Sequence, residues 1–87
     1  MSTGSQDVTV YTTGSCVYCQ AQKRFLDEHK IPFKEVRVDT DTVAAEEMIK
    51  RSGQMSVPFT VIVNQTDETE REITGFNRLR LAKALGI

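Results

Sequence analysis

The chain has 87 residues, of which 39% are hydrophobic and 26% charged, a composition typical of one small globular domain. Its 11 basic and 12 acidic residues give a formal net charge of -1, so the overall charge predicts no binding to nucleic acid or to an anionic membrane. No segment approaches the roughly 20 apolar residues of a membrane span, and the first residues lack a signal-peptide pattern. We therefore expect a soluble, cytoplasmic protein.

Residues 1–6 are polar and predict a flexible tail, and one domain is expected over residues 7–87, because no repeat or linker interrupts that stretch. The first predicted element is a strand over residues 7–12, where Val8 and Val10 occupy alternate positions. Threonine and tyrosine, which favour strands, surround these valines.

A helix is expected over about residues 16–30, where apolar residues recur at helical spacing. The next segment, FKEVRV at residues 33–38, alternates and predicts a second strand. Asp41 or Thr42 can then cap a second helix, and Gly53 is expected to end it.

An apolar run over residues 59–63 predicts a third strand, and residues 64–67 predict a turn into a charged fourth strand that ends at Thr74. A third helix is expected over residues 77–85, so the predicted order is β-α-β-α-β-β-α. A right-handed crossover makes the first two strands parallel, and a hairpin makes the last two antiparallel. We therefore expect an α/β fold with a central four-stranded mixed sheet flanked by three helices.

The chain has two cysteines, and they lie three positions apart in the segment CVYC. In a chain without an export signal, such a pair indicates chemistry or metal binding in preference to a structural disulfide. A Cys-x-x-Cys pair at the start of a helix, directly after the first strand, is typical of a thioredoxin-like redox site. Residues i and i+3 of a helix have β-carbons about 5–6 Å apart, which is close to disulfide geometry. Cys16 and Cys19 are therefore predicted to form a redox-active disulfide.

The two cysteines are not expected to be equivalent. Cys16 is expected at or before the first turn, where unpaired backbone N–H groups and the helix dipole favour a thiolate. Cys19 lies deeper in the helix and is expected to keep its proton longer. Cys16 is therefore the predicted nucleophile.

The main alternative use of the pair is metal binding. A structural zinc site needs four ligands, and the sequence adds only His29, at the far end of the same helix. We therefore assign no metal within one chain and no tightly bound cofactor. A dimer that shares a metal ion or an iron-sulfur cluster on Cys16 stays a minor alternative.

The segment SVP places a proline directly before the third predicted strand. Such a proline often follows a cis peptide bond, and we predict that Val57-Pro58 is cis. The backbone of Val57 would then be free to pair with an extended substrate. The alternative is an ordinary proline that begins a strand, and the spacing alone does not separate the two.

Taken in order, TTGSCVYC, SVPF and TGF resemble the glutaredoxin branch of the thioredoxin fold, including the NrdH-type redoxins, over about residues 7–87. The resemblance implies a thiol-disulfide oxidoreductase in which Cys16 attacks disulfides and Cys19 resolves the mixed disulfide. It also implies that Pro58 follows a cis bond.

The resemblance implies two different electron donors, glutathione for one branch and thioredoxin reductase for the other. Glutaredoxins that use glutathione place a basic residue three positions before the first cysteine, another before Thr-Val-Pro, and an acidic residue after Gly-Gly. The matching positions here are Thr13, Met55 and Asn77. Charge-assisted contacts contribute about 1.5–3 kcal/mol each, so the loss of several is expected to leave glutathione weakly bound.

Gly75 and Phe76 resemble the Ser-Gly-Phe of NrdH-type redoxins, which take electrons from thioredoxin reductase and serve ribonucleotide reductase. Tyr18 favours the other branch, because its ring would lie along a glutathione groove. Arg51 or Arg78 could replace a lost positive charge.

The resulting prediction is a monomeric enzyme that reduces protein disulfides, with ribonucleotide reductase as a candidate partner. Its electrons are expected from NADPH through thioredoxin reductase, and a glutathione-dependent enzyme is the alternative. The residues predicted to contact substrate are Tyr18, Val57, Pro58, Gly75 and Phe76. For two of these the alternatives are a simple turn at Gly75 and a core aromatic at Phe76.

Overall fold

A computed structural model describes residues 6–64 and 68–87 of the chain. Its elements follow the predicted order, and they are β1 (Gln6–Thr12), α1 (Val17–Glu28), β2 (Lys34–Arg37), α2 (Thr42–Ser52), β3 (Phe59–Asn64), β4 (Thr69–Thr74) and α3 (Arg78–Leu85). Within the described residues, no helix is long and apolar enough to span a membrane.

The four strands form one mixed sheet in the order β2-β1-β3-β4. β1 and β2 are parallel, whereas β3 is antiparallel to both of its neighbours, as predicted. Tyr11 pairs with Phe59, and Phe59 pairs with Thr74. The segment that follows β1, the segment that precedes β3 and the segment that follows β4 therefore meet at one end of the sheet, which we call the cysteine end.

Helices cover both faces of the sheet, because the side chains of each strand alternate between the faces. One core cluster packs α1 and α3 against the sheet, and its buried members are Val8, Val10, Phe25, Leu26, Ile62, Ile73, Leu81 and Leu85. The other packs α2 against the opposite face, and its buried members are Tyr11, Val38, Ala44, Ala45, Met48, Phe59 and Val61. Full burial of one large apolar side chain contributes about 1.5–3 kcal/mol, so these two layers fix the sheet between the helices.

Several element ends differ from the sequence expectation by one residue or two. β1 begins at Gln6, which pairs with Asn64, so the last residue of the expected tail belongs to the sheet. α1 begins after Cys16 and ends at Glu28, and α3 begins after Asn77. The rest of the expected tail and most of the expected turn at 64–67 lie outside the described residues.

The second helix has the caps that the sequence predicts. The Asp41 carboxylate accepts a hydrogen bond from the backbone N–H of Ala44 at 3.1 Å, so Asp41 and not Thr42 is the N-cap. Gly53 ends the helix with a φ of 79°, a left-handed conformation that favours glycine.

Candidate active site

Cys16 occupies the N-cap position of α1 at the cysteine end. Its sulfur accepts a hydrogen bond from the backbone N–H of Cys19 at 3.1 Å. Its own N–H donates to the carbonyl oxygen of Thr13 at 3.5 Å. The Cys16 side chain is partly exposed, so a disulfide on another molecule can reach its sulfur.

Cys19 lies one helical turn further and has no exposed surface. Burial, and then a hydrogen bond with the Cys16 sulfur, raise the pKa of the Cys19 thiol to about 12. A backbone hydrogen bond from Thr13 and the charge of Lys23 act in the opposite direction but are weaker. Cys19 therefore stays protonated at neutral pH, as the sequence predicts for the deeper cysteine.

An ion pair from β2 holds the loop that precedes Cys16. The Asp39 carboxylate accepts hydrogen bonds from the Gly14 N–H at 3.0 Å and from Arg37 Nη2 and Nε at 2.8 and 2.9 Å. These bonds, led by those from Arg37, hold the pKa of Asp39 well below its usual range. A β-carbon at Gly14 would lie 2.5 Å from Arg37 Nη2, so any other residue there would force the Arg37 guanidinium to shift.

A second ion pair lies next to Cys19. Glu35 Oε2 accepts from the Thr12 hydroxyl at 2.7 Å and from Lys23 Nζ at 2.9 Å. The Lys23 bond first, and the Thr12 bond second, lower the pKa of Glu35. Lys23 follows Cys19 by one helical turn, so this pair connects β1, β2 and α1 beneath the dithiol.

The peptide bond between Val57 and Pro58 is cis, which confirms the prediction. The carbonyl oxygen of Pro58 accepts from the Gly75 N–H at 2.8 Å, and Gly75 has a φ of 82°. Within residues 6–64 and 68–87, neither the N–H nor the carbonyl of Val57 has a hydrogen-bond partner. The Val57 backbone is therefore available to an extended segment of another molecule at the cysteine end.

Exposed apolar side chains surround this end of the sheet. We call Val17, Tyr18, Met55 and Leu79 the apolar rim, and they are 76%, 68%, 58% and 82% exposed. Phe76 differs from them, because it is half-buried and its ring meets the ring of Phe25 edge-on at 6.2 Å. One side of Phe76 thus belongs to the core, which is the alternative noted from the sequence.

The basic residues proposed as replacement glutathione contacts are already engaged. Arg51 Nη1 donates to Glu70 at 2.8 Å and to Glu72 at 3.2 Å, so the guanidinium is held by β4. The guanidinium of Arg78 lies 5.8 Å from the centre of the Phe25 ring. Asn77 caps α3 by accepting from the Arg80 N–H at 3.0 Å.

Sequence reasoning found both cysteines and the cis proline but missed the two ion pairs beside them. Arg37 and Asp39 occur at i, i+2 spacing, which places both side chains on one side of a strand. That spacing was the available signal for this pair. In the described part of the chain, no group of three or more His, Cys, Asp or Glu side chains could hold a metal ion.

Comparison with known proteins gives consistent results. The family model described as Glutaredoxin matches residues 8–66. Glutaredoxin 3 of Escherichia coli strain K12 is 40% identical over 52 residues, which are 60% of this chain and 63% of that protein, so the match spans less than two thirds of that relative. The glutaredoxin-like protein NrdH of Lactococcus lactis subsp. cremoris is 32% identical over 76 residues, 87% of this chain and 96% of that protein.

A solved structure supports the same assignment. The NrdH-redoxin of Escherichia coli superposes with a TM-score of 0.70 at 26% identity, covering 88% of this chain and 92% of that one. This likeness confirms the predicted thioredoxin-like fold. With the family match over more than half of its residues, the chain belongs to the glutaredoxin family.

Proposed function

We propose that this protein reduces disulfides of other proteins through Cys16 and Cys19. The observation that carries the proposal is the pairing of a reachable Cys16 sulfur with a buried, protonated Cys19 one helical turn away, joined by the Cys19 N–H bond to that sulfur. An accessible thiolate can attack the substrate disulfide first, and a buried thiol that keeps its proton can react in the second step.

The reaction has two exchanges. The Cys16 thiolate attacks one sulfur of the substrate disulfide, so a Cys16–substrate bond forms and the other substrate sulfur leaves as a thiolate. Cys19 then attacks the Cys16 sulfur and releases its proton, and the second substrate sulfur leaves. The substrate gains two electrons and, after protonation, two thiols, while the protein retains a Cys16–Cys19 disulfide.

The cysteine end favours a protein chain as the substrate. The Val57 backbone has a free donor and acceptor for a short strand addition, and the apolar rim offers contact area for neighbouring side chains. Gly75 fixes the Pro58 carbonyl, which keeps that edge in place. Tyr18, Val57, Pro58, Gly75 and Phe76 remain the proposed substrate contacts.

We further propose that electrons come from NADPH through thioredoxin reductase. At the three positions where glutathione-dependent relatives carry charge, this chain has none. Of the two candidate replacements, Arg51 is paired with Glu70 and Glu72, and Arg78 lies over the Phe25 ring. The similar NrdH-redoxin of Escherichia coli has a thioredoxin-like activity profile. Ribonucleotide reductase is a candidate acceptor on the resemblance to NrdH-type redoxins.

A glutathione-dependent glutaredoxin is the second candidate. Tyr18 is well exposed beside Cys16, where its ring could line a groove for a small peptide. A dimer that binds an iron-sulfur cluster through Cys16 would instead give a coloured protein, so visible absorption of the fresh preparation separates that alternative from both enzymes.

The deciding experiment follows NADPH oxidation with a model protein disulfide. One set of reactions contains thioredoxin reductase, and a parallel set contains glutathione and glutathione reductase. We expect turnover with thioredoxin reductase and at least tenfold less with glutathione, because about 1.4 kcal/mol of lost binding corresponds to tenfold. Turnover with glutathione alone would replace the proposed donor by the second candidate, and turnover with neither would contradict the reductase proposal.

A further inference from the structure

A basic cleft lies between β4 and α3, away from the two cysteines. It has a volume of about 340 Å3, and Arg71, Arg80 and Lys83 line it together with the apolar side chains of Ile73 and Ala84. Arg80 and Lys83 are three residues apart on α3 and therefore share one face of the helix. Arg71 approaches them from β4. We call the cavity lined by these three side chains the basic cleft.

The acidic and basic side chains of β4 lie on opposite faces of the sheet. Glu70 and Glu72 point to the α2 face, where both bind Arg51. Arg71 alternates with them and shares the opposite face with Ile73, which packs in the core cluster of α1 and α3. Glu72 also lines the cleft, but it shares Arg51 with Glu70, so the three cations outnumber one partly neutralised carboxylate.

Among the described residues, Arg71, Arg80 and Lys83 take part in no ion pair, whereas Lys23, Arg37 and Arg51 each bind a carboxylate. Three like charges around one cleft repel each other. An anion in the cleft would relieve that repulsion.

The cleft is close enough to the cysteine end to meet the same partner. Arg71 precedes Thr74 by three residues, which is about 10 Å along a strand, and Gly75 then bonds to Pro58. A protein whose disulfide lies over Cys16 would extend past this distance. A chain of net charge -1 with one compact basic cleft is poorly suited to nucleic acid or a membrane surface, which contact many cations at once.

We propose that the basic cleft binds an acidic segment of the protein whose disulfide is exchanged at Cys16. This inference rests on the proposed function and adds a preference for the kind of partner. The acidic residues would lie about four to six positions from the reacting cysteine, because the cleft is about 10 Å along β4 and two strand spacings, about 10 Å, across the sheet from the end of β1 that precedes Cys16.

The test uses single-cysteine peptides that carry a chromogenic aromatic thiol in a mixed disulfide. Attack by Cys16 of the reduced protein on the peptide sulfur joins the peptide to Cys16 and releases the coloured thiolate. Three peptides carry four Glu, four Gln or four Lys at that distance, on either side of the cysteine. We expect the Glu peptide to react about tenfold faster than the Gln peptide at low salt, and this advantage to fall as salt screens the charges.

The variant R71Q/R80Q/K83Q should lose the advantage of the Glu peptide while its rate with the Gln peptide stays unchanged. The variant R24Q/K34Q/K50Q removes three exposed cations elsewhere and should keep the advantage. Equal rates for the Glu and Gln peptides, or an advantage that survives in the first variant, would overturn the proposal. Stronger competition by a single-stranded oligonucleotide of equal charge would overturn the choice of partner.

Failure of this inference is distinguishable from failure of the proposed function. If the wild-type protein does not react with the Gln peptide at all, then Cys16 chemistry itself is absent. If it reacts with the Gln peptide but shows no preference for the Glu peptide, only the role of the basic cleft is wrong.

Discussion

The cysteine end and the basic cleft use charge in opposite ways. Around Cys16, the charged side chains neutralise one another through Arg37 with Asp39 and Lys23 with Glu35, and the surface offered to a partner is apolar. At the cleft, the cations have no carboxylate partner among the described residues. The difference suggests that the first region binds through backbone and apolar contacts, while the second adds a preference for acidic partners.

The largest effect is expected from changes to the two cysteines, because we propose that they carry out the exchange reaction at the cysteine end. Cys16→Ser should lower protein-disulfide reduction by at least about a thousandfold, since no other group replaces the nucleophile. Cys19→Ser should keep the first attack and accumulate a covalent complex with substrate, visible by non-reducing electrophoresis. Substantial turnover by Cys16→Ser would contradict the division of roles.

The next prediction tests whether Gly75 contributes to turnover in addition to its effect on stability. Gly75 and Gly53 both have φ near 80°, so alanine at either position should destabilise the fold by about 1–2 kcal/mol in chemical denaturation. Gly75→Ala should also reduce turnover by about tenfold or more, because it moves the donor of the Pro58 carbonyl and small displacements at a site are costly.

Gly53→Ala is the matched control, because Gly53 has the same backbone conformation but its N–H bonds to the Ile49 carbonyl within α2 and not to Pro58. It should leave turnover close to that of the wild type at temperatures where the protein is folded. Equal losses of turnover in both variants would mean that Gly75 acts through stability alone.

The buried thiol predicts a pH effect at the cysteine end. Because burial raises the pKa of Cys19 to about 12, iodoacetamide should modify one cysteine per molecule in the folded, reduced protein at pH 7 to 9. The stabilisation from the neutral thiol is complete below the unfolded pKa of about 8.5 and is lost as the pH rises toward 12. Mass spectrometry after proteolysis identifies the modified residue, and rapid labelling of Cys19 at pH 8 would contradict its protection.

The smallest effect concerns the ion pair beneath the dithiol. Lys23 and Thr12 lower the pKa of Glu35, so its contribution to stability is present above the unfolded pKa of about 4.3 and disappears as the pH falls through the lower folded pKa. Glu35→Gln should therefore lower the Tm at pH 7, and the difference from wild type should vanish in acid.

Glu46→Gln, on the exposed side of α2, is the control for this change and should leave the Tm nearly unaltered. If both variants respond alike, or if the Glu35→Gln difference persists in acid, the pair does not stabilise the site through its charge.

The sequence predicted the order of elements and the two cysteines because those signals are local. Alternation and helical spacing act over a few residues, and Cys16 and Cys19 are separated by one turn. The pairing of Arg51 with β4 and of Asp39 with Gly14 joins residues that are far apart in the chain, so it depends on the strand order β2-β1-β3-β4 and on the packing of α2. Propensities contain no information on such contacts.

Element ends and the position of Phe76 show the same limit. The sequence predicts Cys16 at or before the first turn of the first helix, and only the conformation of this one residue makes its sulfur the N-cap. The sequence allows Phe76 to be either an exposed substrate contact or a core aromatic. In the structure it is half-buried, and the Phe25 ring covers one side of it.

The hydrogen bond from the Cys19 N–H to the Cys16 sulfur should make the Cys19 amide sensitive to the chemical state of Cys16. A thiolate accepts a hydrogen bond more strongly than a neutral sulfur in a mixed disulfide, so the first turn of α1 loses part of its cap when Cys16 reacts. The backbone amide of Cys19 should then exchange with deuterium faster, and its NMR resonance should move. Under the proposed reaction, each turnover should therefore change the local opening of the start of α1.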